Sequence, residues 1–359
     1  MNPSPLDIQT LCDDLRAKSG ELEVADAWPG QQFGLLAKAG VLGWVIPREY
    51  GGVEINSTEL TIGYERLSSA CLTTAFVLTQ RNGACQRIAG CENDALKAEL
   101  LPDLCAGETF ATVGISHLTT SRQHLRTPAV QVEQQGSRLK FDGTIPWVTG
   151  ALFADYIVTG GAIADGRQVL AVIPTADANV TVLPPPRMLS LNASQTGAVK
   201  LDGVEIDERY LIAGPAEAVM KLGVGGGTGS LATSALALGT AAGTLGLLRE
   251  EVEKRPDLQE VFESIAAERD EAAAAMLELS RGGATDKPQP CSAEEIRRRS
   301  NSIVLRATQA YLAASKGAGF VAGHPAERLV REAMFFLVWS CPQPVLAANL
   351  REFACLVET

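Results

Sequence analysis

The chain predicts an α+β protein of three units. These are an N-terminal α-helical domain over residues 1–108, a middle antiparallel β-barrel or sandwich over 109–213, and a C-terminal four-helix bundle over 214–359. Three observations carry this. Apolar residues recur at helical spacing before Thr109 and again after Gly214. Between them lie short β-rich runs, separated by turn signals and too close together for crossover helices. Four long helical patterns, joined mostly by short connections, then close the chain.

In the first unit, Leu35-Leu36-Ala37-Lys38-Ala39-Gly40 ends a helix at a glycine stop. Pro47-Arg48-Glu49-Tyr50-Gly51-Gly52 is a loop, 58–79 reads as one long apolar helix, and 92–101 as a shorter amphipathic one. In the middle unit, strands are predicted at 110–115, 129–133, 139–141, 156–159, 169–173 and 198–201. Gln135-Gly136-Ser137, Asp142-Gly143 and Asp165-Gly166 supply turns, and Pro184-Pro185-Pro186 a stiff connector at a strand edge. The last unit reads as helices over 230–254, 258–279, 293–315 and 326–338. A Gly- and Pro-rich loop over 282–290 separates the second and third. The turn Lys316-Gly317-Ala318-Gly319 stops the third helix, and Pro325 suits the first turn of the fourth. Glu327 and Arg331 lie one turn apart on it. That helix delivers Trp339 and Ser340 to a loop that Pro342 forces out of helical geometry.

Composition narrows the function classes. The chain has 359 residues, 46% of them hydrophobic and 20% charged, enough for several substantial cores. A net charge of −11 argues against nucleic acid and against an anionic membrane surface. The run Arg297-Arg298-Arg299 follows Glu294-Glu295 and reads as a solvated helix face. Eight cysteines without a CxxC, and only three histidines, give neither a metal site nor a compact disulfide framework. Thiols kept reduced in a cytoplasm are expected, and the polar first nine residues show no signal peptide. Residues 231–248 carry no charge and are long enough to span a membrane. Their Ala, Gly, Ser and Thr content, followed by Arg249-Glu250-Glu251, points instead to a helix packed inside a bundle. Gly223-Val224-Gly225-Gly226-Gly227-Thr228-Gly229-Ser230 precedes that helix and suggests an anion site. It lacks the Lys-Ser/Thr ending of a phosphate loop and any surrounding strand–helix–strand unit.

Three stretches carry a family likeness: LLAKAGVLGWVIPREYGGVEINSTEL, ENDALKAELLPDLCAGE, and the KGAGF, HPAERLVREA and WSCP run near the end. With the order helices, β, helices, they resemble the acyl-CoA dehydrogenase family over nearly the whole chain. The resemblance implies FAD as cofactor, an acyl-CoA or related thioester as substrate, an electron-transfer partner, and a homodimer or homotetramer. It implies that Trp147 stacks on the flavin and Thr149 hydrogen-bonds near its N5, while Ser116 holds its pyrimidine edge and Thr120 a phosphate. Arg255, Gly317 and Gly319 would lie near the pyrophosphate, Arg255 reaching that of a neighbouring subunit. Ser230 falls at a substrate- or cofactor-contacting position.

The departures from the pattern are equally specific. Ser116-His117-Leu118 replaces a Thr-Glu-Pro, and Thr119-Thr120-Ser121 a glycine-containing loop, removing a close backbone approach. Pro256-Asp257-Leu258 stands in place of a Gln-Phe-Gly. Above all, Ser340 occupies the position of the catalytic Glu, and Gly229 that of an alternative base. The family reaction needs a base to take the α-proton of the thioester; an unassisted serine hydroxyl is too weak. Glu332, eight residues upstream and about 12 Å away along a helix, matches a structural position. His117 and His124 titrate near neutrality but read as hydrogen-bonded side chains. The catalytic residue is therefore left unknown. The chain is expected to bind or act on an acyl thioester with weak or no ordinary α,β-dehydrogenation. The alternatives are a flavin-dependent monooxygenase of the same fold, or a non-catalytic flavin- or acyl-CoA-binding subunit in which FAD binding is weakened or lost.

Overall fold

The computed structural model describes residues 8–24, 26–119, 128–222, 231–282, 291–341 and 343–356. Five helices open the chain: α1 (Ile8–Lys18), α2 (Gly30–Lys38), α3 (Ser57–Ala70), α4 (Leu72–Ala89) and α5 (Asp94–Ala106). The predicted stop of α2 is present, with Gly40 in the left-handed region at φ 73°. α3 starts on a reciprocal cap: the Asn56 side chain accepts from the Glu59 N–H, and the Glu59 carboxylate accepts from the Asn56 N–H. The single helix expected over 58–79 is two. Cys71 adopts φ −155° and ψ 104° between α3 and α4. Neither Gly nor Pro marks that break, and the apolar pattern runs straight across it.

The β unit begins with β1 (Ala111–Gly114), a single turn α6 (Ser116–Thr119), β2 (Val130–Gln135) and β3 (Arg138–Val148). It continues with β4 (Tyr156–Ala162), β5 (Gln168–Pro174), β6 (Val180–Val182), β7 (Gly197–Asp207) and β8 (Leu211–Ala216). All eight strands form one sheet in the order β6-β7-β3-β2-β4-β5-β8, with β1 beside β4. The pairs are antiparallel except β1 with β4 and a short β2–β4 contact, which are parallel. The central strands β4 and β5 are buried on both faces. Val158, Leu170 and Val172 pack against Ala84, Ile88, Leu100 and Leu101 of α4 and α5. Ile157, Val169 and Ala171 meet Phe141, Val199 and Val204 on the other side. The sequence reading shortened β3 and β7 to their apolar centres and missed β6 and β8. Polar residues on the exposed faces of β3 and β7 hid their ends, while β6 is only three residues long and β8 carries a Gly-Pro step that reads as a breaker. β8 runs past the expected boundary at 213.

The C-terminal unit contains α7 (Leu231–Lys254), α8 (Gln259–Ser280), α9 (Ala293–Gly319), α10 (Pro325–Ala333) and α11 (Gln343–Phe353). α11 adds a fifth helix to the four expected. The uncharged stretch of α7 is the one described helix long and apolar enough to cross a membrane, and 67% of its most apolar window is buried here. Its glycines explain why: a Cβ on Gly239 or Gly243 would strike the backbone of Glu65 or Ser69 on α3. Small residues let these two helix backbones touch. The half-buried pair Arg269–Glu65 ties α8 to the same helix. His324 caps α10, its Nδ1 accepting from the Ala326 N–H, and Pro325 sits at the first position as predicted. No disulfide forms among the described residues, which include all eight cysteines.

Candidate active site

A cavity of about 1190 Å³ opens where the three units meet. One wall comes from α3 and α4, with Tyr64, Phe76 and Arg87. A second comes from the β unit, with Val113, Ser116, Trp147, Thr149 and Thr196. The third is the start of α7 and the segment after α10, Met334 to Ser340. α10 tightens into a 3₁₀ turn over Met334–Leu337, and the chain then leaves helical geometry. The Trp339 ring stacks on Phe335 at 5.2 Å and meets Phe76 edge-on at 4.9 Å. Ser340 follows at φ 44°, an uncommon conformation for a non-glycine residue. The tip thus presents one aromatic ring and one hydroxyl-bearing residue to the cavity.

Polar groups on the β wall are few and aligned. The Thr149 and Thr196 hydroxyls share a hydrogen bond of 3.0 Å, and those of Ser194 and Thr196 one of 2.8 Å. The Ser116 hydroxyl is buried with no hydrogen-bond partner, although its residue lines the cavity. An orphaned buried hydroxyl costs about 1–3 kcal/mol unless something accepts or donates to it. Trp147 keeps 48% of its surface accessible. Across the cavity the Tyr64 hydroxyl accepts from Asn82 Nδ2 at 3.0 Å, and burial pushes its pKa well above the usual phenol range.

The charges are one-sided. Arg87 and Arg331 line the cavity, and no Asp or Glu does among the described residues. Burial pushes Arg87 down to about 10, so it remains a cation at neutral pH. Arg331 is held by Glu327 at 2.9 Å and Glu23 at 2.6 Å, and donates to the Leu189 carbonyl at 3.2 Å. Glu332 is 5% exposed and absent from the lining. Burial raises its carboxyl to about 7, against the pull of the Arg328 guanidinium 3.9 Å away.

The family profile described as acyl-CoA dehydrogenase, N-terminal domain, matches residues 9–108. A probable acyl-CoA dehydrogenase of Bacillus subtilis (strain 168), YngJ, is 21% identical over 323 residues, covering 85% of this chain and 84% of that one. Residues 9–108 therefore match the N-terminal domain of the acyl-CoA dehydrogenase family. Solved structures carry the same fold. A glutaryl-CoA dehydrogenase from Mycobacterium smegmatis in complex with FADH2 superposes with TM-score 0.81 at 17% identity, over 97% of this chain and 95% of that one. Dibenzothiophene monooxygenase TdsC from Paenibacillus sp. A11-2 does so with TM-score 0.75 at 16% identity, over 98% and 97%.

Within the acyl-CoA dehydrogenase fold, the structure gathers Ser116, Trp147, Thr149 and Ser340 around one cavity. It does not bring Arg255, Gly317 or Gly319 there. Arg255 donates to the Ala314 carbonyl of α9 at 2.8 Å and lies 3.6 Å from Asp257, tying the end of α7 to α9. Gly317 has open space where a side chain would be, whereas Gly319 packs against Ser315 and Leu312. Thr120, Ser230, Gly229, His124 and Pro342 lie outside the described residues. His117 Nε2 lies 2.9 Å from the Gly160 carbonyl, an anchor to β4. Sequence reasoning missed Arg87, Thr196 and the Phe76–Phe335–Trp339 cluster. These partners are brought together only by packing between units, and no local spacing announces them. One earlier expectation is overturned: in Arg297-Arg298-Arg299, Arg297 is 3% exposed rather than solvated. It sits on the inner face of α9, and helical rotation leaves only its neighbours outside.

Proposed function

We propose that the chain is a flavin-dependent oxidoreductase of this family that holds an acyl thioester in its cavity without an ordinary α,β-dehydrogenation base. One observation supports the reading: Ser340 borders the cavity at the tip, and no described lining residue is a carboxylate. A hydroxyl with no adjacent imidazole does not take the α-proton of a thioester at neutral pH. The residues present suit FAD at its ring end. The orphaned Ser116 hydroxyl, the Thr149–Thr196 pair and the accessible Trp147 face one cavity, which is larger than one small ligand needs. FAD, when bound, supplies hydride acceptance. The chain's own part would be to offer Thr149 and Ser116 as hydrogen-bonding groups and Trp147 as an aromatic face, and to exclude water with Phe76, Phe335 and Trp339. In this reading the protein works as a homodimer or homotetramer in the cytoplasm, with an acyl-CoA or related thioester and an electron-transfer partner.

The lack of a base also favours a second reading, a monooxygenase using reduced flavin and O₂, which requires no α-proton removal. Absorbance and mass spectra of whatever co-purifies decide whether a flavin is held. Anaerobic bleaching by a panel of acyl-CoA thioesters supports a dehydrogenase. Oxygen uptake with a hydroxylated product supports the monooxygenase. Protein that neither co-purifies with flavin nor takes up added FAD is a non-catalytic subunit, and both readings fall.

A further inference from the structure

Arg297 reaches from α9 beneath the cavity tip. Its Nη2 donates to the Phe336 carbonyl at 3.0 Å and to the Trp339 carbonyl at 2.9 Å. The guanidinium carbon lies 6.0 Å from the Phe336 ring centroid. Its Nε and Nη1 have no hydrogen-bond partner, and no carboxylate pairs with it among the described residues. A cation buried without a counter-ion is costly, several kcal/mol by general estimates, so its placement needs a reason. The two carbonyls supply one. The first is among those left orphaned where α10 and its 3₁₀ turn stop, and a positive charge there complements the helix end. The second belongs to the residue directly before Ser340.

We infer that Arg297 is a positioning residue, a buried clamp that fixes the Trp339 ring and Ser340 against the cavity and so sets how tightly an acyl thioester is held. Without it, the Phe336 and Trp339 carbonyls lose their donor, the first of them in a buried place. The segment between them then has no bond holding it to α9 at this point, and Ser340 has no fixed carrier for its left-handed backbone. The affinity half of this inference rests on the thioester reading above; the clamp half does not.

The test uses the full chain labelled with 5-fluorotryptophan, whose four tryptophans give four ¹⁹F resonances; Trp339→Phe assigns the one that matters. In Arg297→Gln, the Trp339 resonance shifts or broadens while those of Trp28, Trp44 and Trp147 stay in place. In Arg297→Lys, which keeps the charge but not the fork, the change is smaller. In the FAD-loaded protein the Kd for hexanoyl-CoA rises about tenfold in Arg297→Gln, while that for FAD stays within about twofold. Four unmoved resonances, or four that move together, overturn the clamp. A Trp339 shift with unchanged hexanoyl-CoA affinity overturns its role in holding ligand. If Arg297→Gln does not fold, Arg297→Lys decides by the same selective shift. If the unaltered protein binds no hexanoyl-CoA, the thioester reading falls, and the resonances still judge the clamp.

Discussion

The two walls that face each other across the cavity are built in opposite ways. The β wall holds its polar groups by backbone ladders: Val148 is paired to Gly197, which carries Thr149 and Thr196 into register. The helical tip has no ladder. It is positioned by aromatic stacking and by one buried cation on a neighbouring helix. On the ladder side Ser116, Thr149 and Thr196 bring hydroxyls to the cavity. On the tip it is a serine that borders the cavity. A sheet fixes many side chains at once, so changing one leaves the others placed. A helix end presents one residue, and replacing that residue alters the chemistry without disturbing the fold.

The largest expected effect comes from restoring the tip. Ser340→Glu should raise anaerobic bleaching by acyl-CoA thioesters about 10²–10⁴-fold over the unaltered protein, the range typical of a positioned general base. Efficient bleaching without the substitution would mean that the base lies elsewhere. Next, Phe76→Ala should cost about 3–5 kcal/mol in urea unfolding, since this 3%-exposed ring meets both Phe335 and Trp339. A loss below about 1 kcal/mol would mean that the aromatic cluster does not organise the tip.

Glu332 gives a third prediction, with a definite sign. Its carboxyl is raised by burial from 4.5 to about 7. The native state therefore keeps a proton that the unfolded chain releases between those values. The contribution is complete below about pH 4.5, declines as pH rises, and is gone above about pH 7. Relative to Glu332→Gln, the unaltered protein should lose up to about 3 kcal/mol of unfolding free energy between about pH 4.5 and pH 8. Parallel stability curves for the two proteins would place this carboxylate in a wetter setting.

The smallest effect sharpens the β wall. Ser116→Ala removes an unpartnered buried hydroxyl, so the flavin-free protein should melt slightly higher, whereas FAD affinity should fall about 2–10-fold. A lower melting temperature with unchanged FAD affinity would show that the hydroxyl serves the fold instead.

Much of this was legible in order along the chain. Gly40 and Pro325 marked helix ends where backbone geometry requires them. The Ala- and Gly-rich face of α7 announced close packing, and β5 was read nearly to its ends, whereas β4 runs on through Gly160 and Gly161 to Ala162. The helix break at Cys71 was not legible, because an extended residue between two apolar helices carries no compositional mark. Nor was the burial of Arg297, where a run of three arginines hid the difference between inner and outer helix faces.

By itself, then, the sequence determined the succession of helices, strands and helices, the family likeness, and the serine at the tip, because periodicity, turn residues and identity at a position are local properties. Only the tertiary structure decided that Ser116, Thr149, Trp147 and Ser340 share one cavity, that its described lining holds two arginines and no carboxylate, and that Arg297 grips the tip from below. Each of those depends on which distant residues are pressed together when water is expelled between the units, and no window along the chain contains both partners.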